Sequence, residues 1–236
     1  MEIIPVIDIR NGVVVRARRG ERSSYRPIET PLSPGADPLG VAKGLLALHP
    51  FRSLYVADLD GIERGRPSWA VLERLAAELP NIALWTDFGC SDAPAAADYL
   101  ARVPGGVLVI GTESQTNESL LRRLRHHPRA ALSVDHFGEA YRGPPAILDD
   151  PPLWPERVIV MTLGRVGSGE GPDVETLSRI AARAGDRHVY AAGGIRGEDD
   201  CRRLRAAGIA GALVASALHD GALGAAALKR ISGTDG

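Results

Sequence analysis

Two aspartates stand at the ends of short apolar runs. Asp8 closes Pro5-Val6-Ile7-Asp8 and Asp135 closes Leu132-Ser133-Val134-Asp135. A carboxylate adds nothing to strand packing at such a point. Two opposed carboxylates can serve as general base and general acid when their surroundings push their pKa values apart. Capping or salt bridging is the alternative for either aspartate alone, but their matching positions in the two halves of the chain make Asp8 and Asp135 the candidate catalytic pair. A second signal lies near the C-terminus, in Ala192-Gly193-Gly194-Ile195 and Val214-Ala215-Ser216-Ala217. Backbone N–H groups of such loops hold phosphate, and glycine lets the backbone approach the anion. Gly193, Gly194, Ala215 and Ser216 are the candidate phosphate contacts. The run 164–172, with four glycines in nine residues, can close over a ligand. Arg16, Asp87, Thr162, Ser168 and Gly169 are the candidate substrate contacts.

Other chemistries find little support. Lysine occurs only at 43 and 229, both inside expected helices, so no lysine is placed to form an imine with substrate. Cys90 and Cys201 form neither a metal motif nor a disulfide framework, and His126-His127 point in different directions on a helix end. His136 is expected to point away from the site by strand alternation. No metal and no cofactor is called for.

The elements that must position these residues are read from hydrophobic pattern. Apolar runs at 3–8, 53–59, 82–87, 107–111, 131–135, 158–162, 188–192 and 212–216 lack strict alternation, as parallel strands covered on both faces do. Helical patterns fall between them at 38–48, 69–79, 93–102, 117–126, 174–184, 198–207 and 223–231, with Asp37, Ser68 and Asp173 as expected caps. The spacing predicts an α/β fold, a single (β/α)8 TIM barrel domain over 1–236. Prolines between 143 and 155 predict a short or irregular fifth crossover. Residues 18–34 form a long polar segment after the first strand, either a lid or a plain surface loop. An internal repeat supports two half-barrels: 5–8 matches 132–135, and 106–111 matches 211–216. That repeat predicts Asp8 and Asp135 on opposite sides of one barrel mouth.

Length and composition agree. The chain has 236 residues, 44% apolar and 24% charged, with a net charge of −1. Nothing marks a basic surface for nucleic acid. The N-terminus lacks a basic leader and no apolar run approaches a membrane span, so a cytoplasmic protein with no membrane partner is expected. The expected partner is a small phosphorylated metabolite. The sequence leaves the oligomeric state open.

The motifs Ile4-Pro5-Val6-Ile7-Asp8, Gly12-Val13-Val14-Val15-Arg16, Ala57-Asp58-Leu59-Asp60-Gly61, Ile110-Gly111-Thr112 and Ala192-Gly193-Gly194-Ile195 resemble those of the ProFAR isomerase family of histidine biosynthesis, in order over nearly the whole chain. The resemblance implies an Amadori rearrangement of an aminoaldose to an aminoketose, with Asp8 as base, Asp135 as acid, and Gly194, Ala215 and Ser216 at one phosphate. Two departures stand out. Where that family carries a glycine-rich phosphate loop after strand three, this chain reads Thr86-Asp87-Phe88-Gly89-Cys90, and the run Met161-Thr162-Leu163-Gly164 lacks the family's aspartate. Asp87 would repel a phosphate by about 4 kcal/mol at roughly 4 Å and an effective dielectric near 20, and Phe88 is expected to crowd the backbone approach. Asp87 suits an amine, a hydroxyl or a cation instead. The runs 20–28, 149–155 and 158–163 resemble a divergent branch from methylotrophic bacteria and methanogens, associated with one-carbon cofactors around methanofuran or tetrahydromethanopterin.

Four readings follow: an acid–base isomerase of a singly phosphorylated sugar-like metabolite, which the residues favour; a genuine ProFAR isomerase; a cofactor-biosynthesis enzyme of different chemistry; and a non-catalytic phosphate-ligand sensor.

Overall fold

Branched and aromatic runs form eight parallel strands: β1 (Glu2–Arg10), β2 (Ser53–Asp58), β3 (Ala83–Asp87), β4 (Val107–Gly111), β5 (Ala130–Phe137), β6 (Arg157–Thr162), β7 (His188–Ala192) and β8 (Gly211–Val214). Each pairs with the next, and β8 returns to β1 with Glu2 opposite Gly211 and Pro5 opposite Val214, which closes the barrel. The computed structural model describes residues 1–17 and 20–233. Among them no helix is long and apolar enough to cross a membrane.

The helices are α1 (Pro38–Leu46), α2 (Leu59–Arg64), α3 (Trp69–Glu78), α4 (Ala93–Arg102), α5 (Ser119–Leu124), α6 (Pro145–Asp149), α7 (Val174–Ala184), α8 (Glu198–Ala206), α9 (Ser216–His219) and α10 (Ala225–Ser232). Asp37 and Asp173 cap as expected, accepting from the N–H groups of Gly40 at 3.0 Å and Thr176 at 3.1 Å. Ser68 does not cap α3. Its hydroxyl donates instead to Asp58 at 2.9 Å, because the buried Asp58 carboxylate gathers that hydroxyl and nearby N–H groups at the end of β2. The fifth crossover is short, as the prolines require: α6 is followed only by a 3-10 turn at Pro151–Leu153.

Strand pleat sorts the side chains into two apolar layers. Ile7, Val56, Leu108, Leu132, Val160 and Val214 join the helices in the outer core. Ile4, Tyr55, Trp85, Val109, Ile159 and Leu213 fill the interior. The interior alternation carries upward to Asp8, Asp87 and Asp135, so strand geometry alone aims these carboxylates into the mouth.

The twofold repeat extends to local detail. Val13–Arg16 returns antiparallel along β1 with Asp8 opposite Val15, and Ala140–Arg142 returns along β5 with Asp135 opposite Arg142. One correction applies. The faces match when 107 aligns with 211, Gly111 with Ala215 and Thr112 with Ser216, so the expected pairing of 106–111 with 211–216 is one residue out. A one-residue slip exchanges the two faces of a strand.

The segment after β1 folds back over the barrel through a 3-10 turn (Arg22–Ser24) and a two-residue strand (Arg26–Pro27), with Tyr25 and Ile28 buried. Arg18 and Arg19, at the start of the expected lid, lie outside the described residues.

Candidate active site

The C-terminal ends of the strands enclose a cavity of about 400 Å³. Asp8, Asp87 and Asp135 all line it. So do Arg16, Ser168, Gly169, Gly193, Gly194, Ala215 and Ser216, which places nearly every sequence candidate around one space.

Thr162 is the exception. The pleat of β6 gives the cavity Met161, and Thr162 lines a separate groove with Arg165, Asp173 and Arg179. Its carbonyl still matters, since a Cβ on Gly193 would lie 2.5 Å from it. Phe88 is a second correction. Its ring is buried outside the barrel, with its centroid 5.4 Å from that of Trp69 and 5.6 Å from that of Tyr99, so it packs against helices and does not block the mouth. His136 is turned away from the cavity, with its ring 5.7 Å from Tyr141.

The three aspartates differ in their bonding. Asp135 is held at both oxygens: the Ser133 hydroxyl donates to Oδ1 at 2.6 Å, and the Glu113 N–H and Thr112 hydroxyl donate to Oδ2 at 3.0 and 3.2 Å. Burial, reinforced by the charge of Asp87, pushes its carboxyl up to about 8. Asp87 receives the Gly89 N–H on Oδ1 at 3.0 Å, and burial pushes it up to about 7. Asp8 also rises to about 7 through burial, against the opposing pull of Arg22. Gly111 makes the crowding possible. A Cβ there would lie 2.9 Å from Asp87 Oδ2 and 3.3 Å from Asp135 Oδ2, so both carboxylates converge on space that a side chain would fill.

Sequence reasoning missed Arg22, Glu113 and Tyr55. Arg22 reaches from the loop after β1 to hydrogen-bond Glu113, just beyond β4, and lies 3.8 Å from Glu63. Arg10 holds the same Glu63 and also donates to the Arg22 carbonyl oxygen. This alternating chain of charges ties the loop across the mouth. The polar segment 18–34 was the available signal for Arg22; nothing local marks Glu113. Tyr55 rises from the interior of β2 into the cavity.

On the β7–β8 side, Gly193 and Gly194 have φ of +103° and +80°, and a Cβ on Gly194 would lie 2.3 Å from the Gly171 carbonyl oxygen. Only glycine allows this stacking of the loops after β6 and β7. Arg16 enters from the hairpin and pairs with Asp220 at 2.7 Å, while Arg196 holds Asp200 with two nitrogens at 2.9 and 2.8 Å. Among the described residues no group of three His, Cys, Asp or Glu side chains is arranged to hold a metal ion. The arrangement therefore offers proton transfer in the centre and anion contacts on one side.

Comparison with known proteins agrees with this architecture. The model of a family described as histidine biosynthesis protein matches residues 2–143 and 153–224. The chain is 30% identical to the 1-(5-phosphoribosyl)-5-((5-phosphoribosylamino)methylideneamino)imidazole-4-carboxamide isomerase of Halothermothrix orenii, over 94% of this chain and 96% of that one. It is 31% identical to the isomerase of the same name from Rubrobacter xylanophilus, over 93% and 91% of the two chains. An uncharacterized protein of Methanocaldococcus jannaschii is 25% identical over 94% of this chain and 95% of its own. A closed eight-stranded barrel with twofold-related strand-end aspartates, matched by the family model along nearly its whole length, makes this chain a member of the histidine biosynthesis protein family of barrels.

Proposed function

We propose that the chain is an Amadori-type aldose–ketose isomerase acting on a singly phosphorylated, sugar-like glycosylamine. The observation that carries this reading is the pair Asp8 and Asp135, on equivalent interior positions of two half-barrels, facing one cavity with pKa values of about 7 and about 8. Near neutral pH Asp135 keeps its proton and Asp8 is partly ionised, which suits an acid and a base respectively.

In this mechanism Asp135 gives its proton to the ring oxygen as the C1–O bond breaks, and the glycosidic nitrogen's lone pair forms C1=N. Asp8 removes the C2 proton, and that electron pair becomes C1=C2 while the C1=N electrons return to nitrogen. Ketonisation returns a proton to C1 and releases the one on the C2 hydroxyl, so the reaction is redox-neutral overall. No bonded donor holds Asp8 among the described residues, which leaves its oxygens open toward the substrate. The phosphate would sit against Gly193, Gly194 and Ser216, with Arg16 and Ser168 at its edge. The single-phosphate part of the reading is supported by the acidic β3–β4 side, where Asp87 and Glu113 face the cavity.

The test is exchange of the C2 proton in D2O, followed by NMR with a ribose 5-phosphate glycosylamine and with the doubly phosphorylated intermediate of the histidine pathway. Exchange with the singly phosphorylated compound, lost in Asp8→Asn, is expected. Turnover of the doubly phosphorylated intermediate comparable to that of the Halothermothrix orenii isomerase would overturn the single-phosphate reading. Undiminished exchange in Asp8→Asn would overturn the base assignment.

A further inference from the structure

The two halves of the mouth share a backbone plan but not a charge. Interior Asp87, at the end of β3, corresponds to Ala192 at the end of β7, and Glu113 corresponds to Ala217. The β3–β4 side therefore carries two carboxylates where its twofold mate has two methyl groups, in addition to the Asp8 and Asp135 pair common to both. Among the described residues one guanidinium, that of Arg22, stands beside these carboxylates, and its nitrogens are already engaged by Glu113 and Glu63.

A separate observation concerns the floor of this side. Tyr55 is only 2% exposed, lines the cavity, and has no hydrogen-bond partner for its hydroxyl among the described residues. Burial, reinforced by the neighbouring Asp87, Asp135, Asp8 and Glu113, holds the phenol well above its ordinary value and so protonated. Asp87 Oδ2 is likewise without a donor, since Gly89 serves only Oδ1. The phenol oxygen and this carboxylate oxygen open onto the same cavity, where they suit a ligand that brings several N–H donors.

We infer that the β3–β4 side of the cavity binds a protonated amine of the substrate, held by Asp87, Glu113 and Tyr55. The ligand class is a molecule with phosphate at one end and ammonium at the other. An ammonium group supplies three donors and a positive charge, matching the acceptors and carboxylates that line this side of the cavity. A second phosphate would meet carboxylates and offer acceptors only. This inference rests on the phosphate placement proposed above and adds the chemistry of the opposite end.

The experiment is calorimetric titration of the intact protein with three probe series of matched chain length: ω-aminoalkyl phosphates, ω-hydroxyalkyl phosphates and α,ω-alkanediyl bisphosphates. At the best length the amine is expected to bind about tenfold or more tightly than the hydroxyl compound, as one charged hydrogen-bonded contact provides. In Asp87→Asn, and independently in Glu113→Gln should the first variant fold poorly, that preference should fall severalfold while affinity for the hydroxyl probe is kept. Equal binding of amine and hydroxyl probes, or tighter binding of the bisphosphate, overturns the inference and leaves the phosphate reading standing. No binding of any phosphate probe overturns both.

Discussion

Asp135→Asn exposes the energetic cost of crowding carboxylates at the mouth. Burial and the neighbouring Asp87 charge hold Asp135 at about 8, against 3.8 for a free side chain. The folded protein therefore keeps a proton that the unfolded chain has already released. Its stability is full below the unfolded value and declines as pH rises toward the folded one, the reverse of a salt-bridged aspartate. Within that window a one-proton difference changes the unfolding free energy by about 1.4 kcal/mol per pH unit. Asparagine does not titrate, yet it keeps an oxygen for the Glu113 N–H and the Thr112 hydroxyl. Between pH 5 and pH 7 the parent should lose about 3 kcal/mol that the variant keeps, or roughly 5–10 °C in Tm for a chain of this size. Relief of Asp87 in the variant acts in the same direction. Thermal unfolding followed by circular dichroism at one-unit pH steps measures the difference directly. Melting temperatures of parent and variant that run parallel from pH 5 to pH 8 would show that Asp135 ionises freely in the folded state, and the acid assignment would fail with it.

Gly194→Ala places a methyl group 2.3 Å from the Gly171 carbonyl oxygen at φ +80°. It should cost at least about 1 kcal/mol in urea unfolding and weaken titrated inorganic phosphate severalfold; an unchanged affinity would move the phosphate elsewhere. Phe88→Ala should destabilise by about 3–5 kcal/mol through loss of a buried ring, with phosphate affinity unaltered. A gain of phosphate binding there would show that Phe88 guards the mouth after all.

Strand pattern made the barrel legible because parallel strands buried on both faces leave unbroken apolar runs. The twofold repeat pointed to Asp8 and Asp135 for the same reason: equivalent strands end at equivalent heights. The short helices α2, α6 and α9 were not read from the pattern, whereas the equally short α5 was, because Leu120, Leu121 and Leu124 mark an apolar face there. Thr162 was misplaced by pleat, since the runs show where β6 ends but not which of its last two residues turns inward. Phe88 was misread for a related reason, as the residue after Asp87 points the other way. Arg22 and Glu113 are 91 residues apart and meet only because the first loop crosses to the fourth strand. No local pattern encodes such a meeting.

The T-shaped pair of Trp85 and Tyr190, with ring centroids 5.0 Å apart, spans the barrel interior beneath the cavity, with Val107 and Ile159 in the same cluster. These rings make the reaction chamber a blind alley. Whatever enters must leave by the same door, past the loop that Arg22 ties down, so reactant and product compete for one passage and product should inhibit competitively. In the proposed isomerase, release of that tether should then limit turnover, and the loop after β1 is expected to set part of its clock.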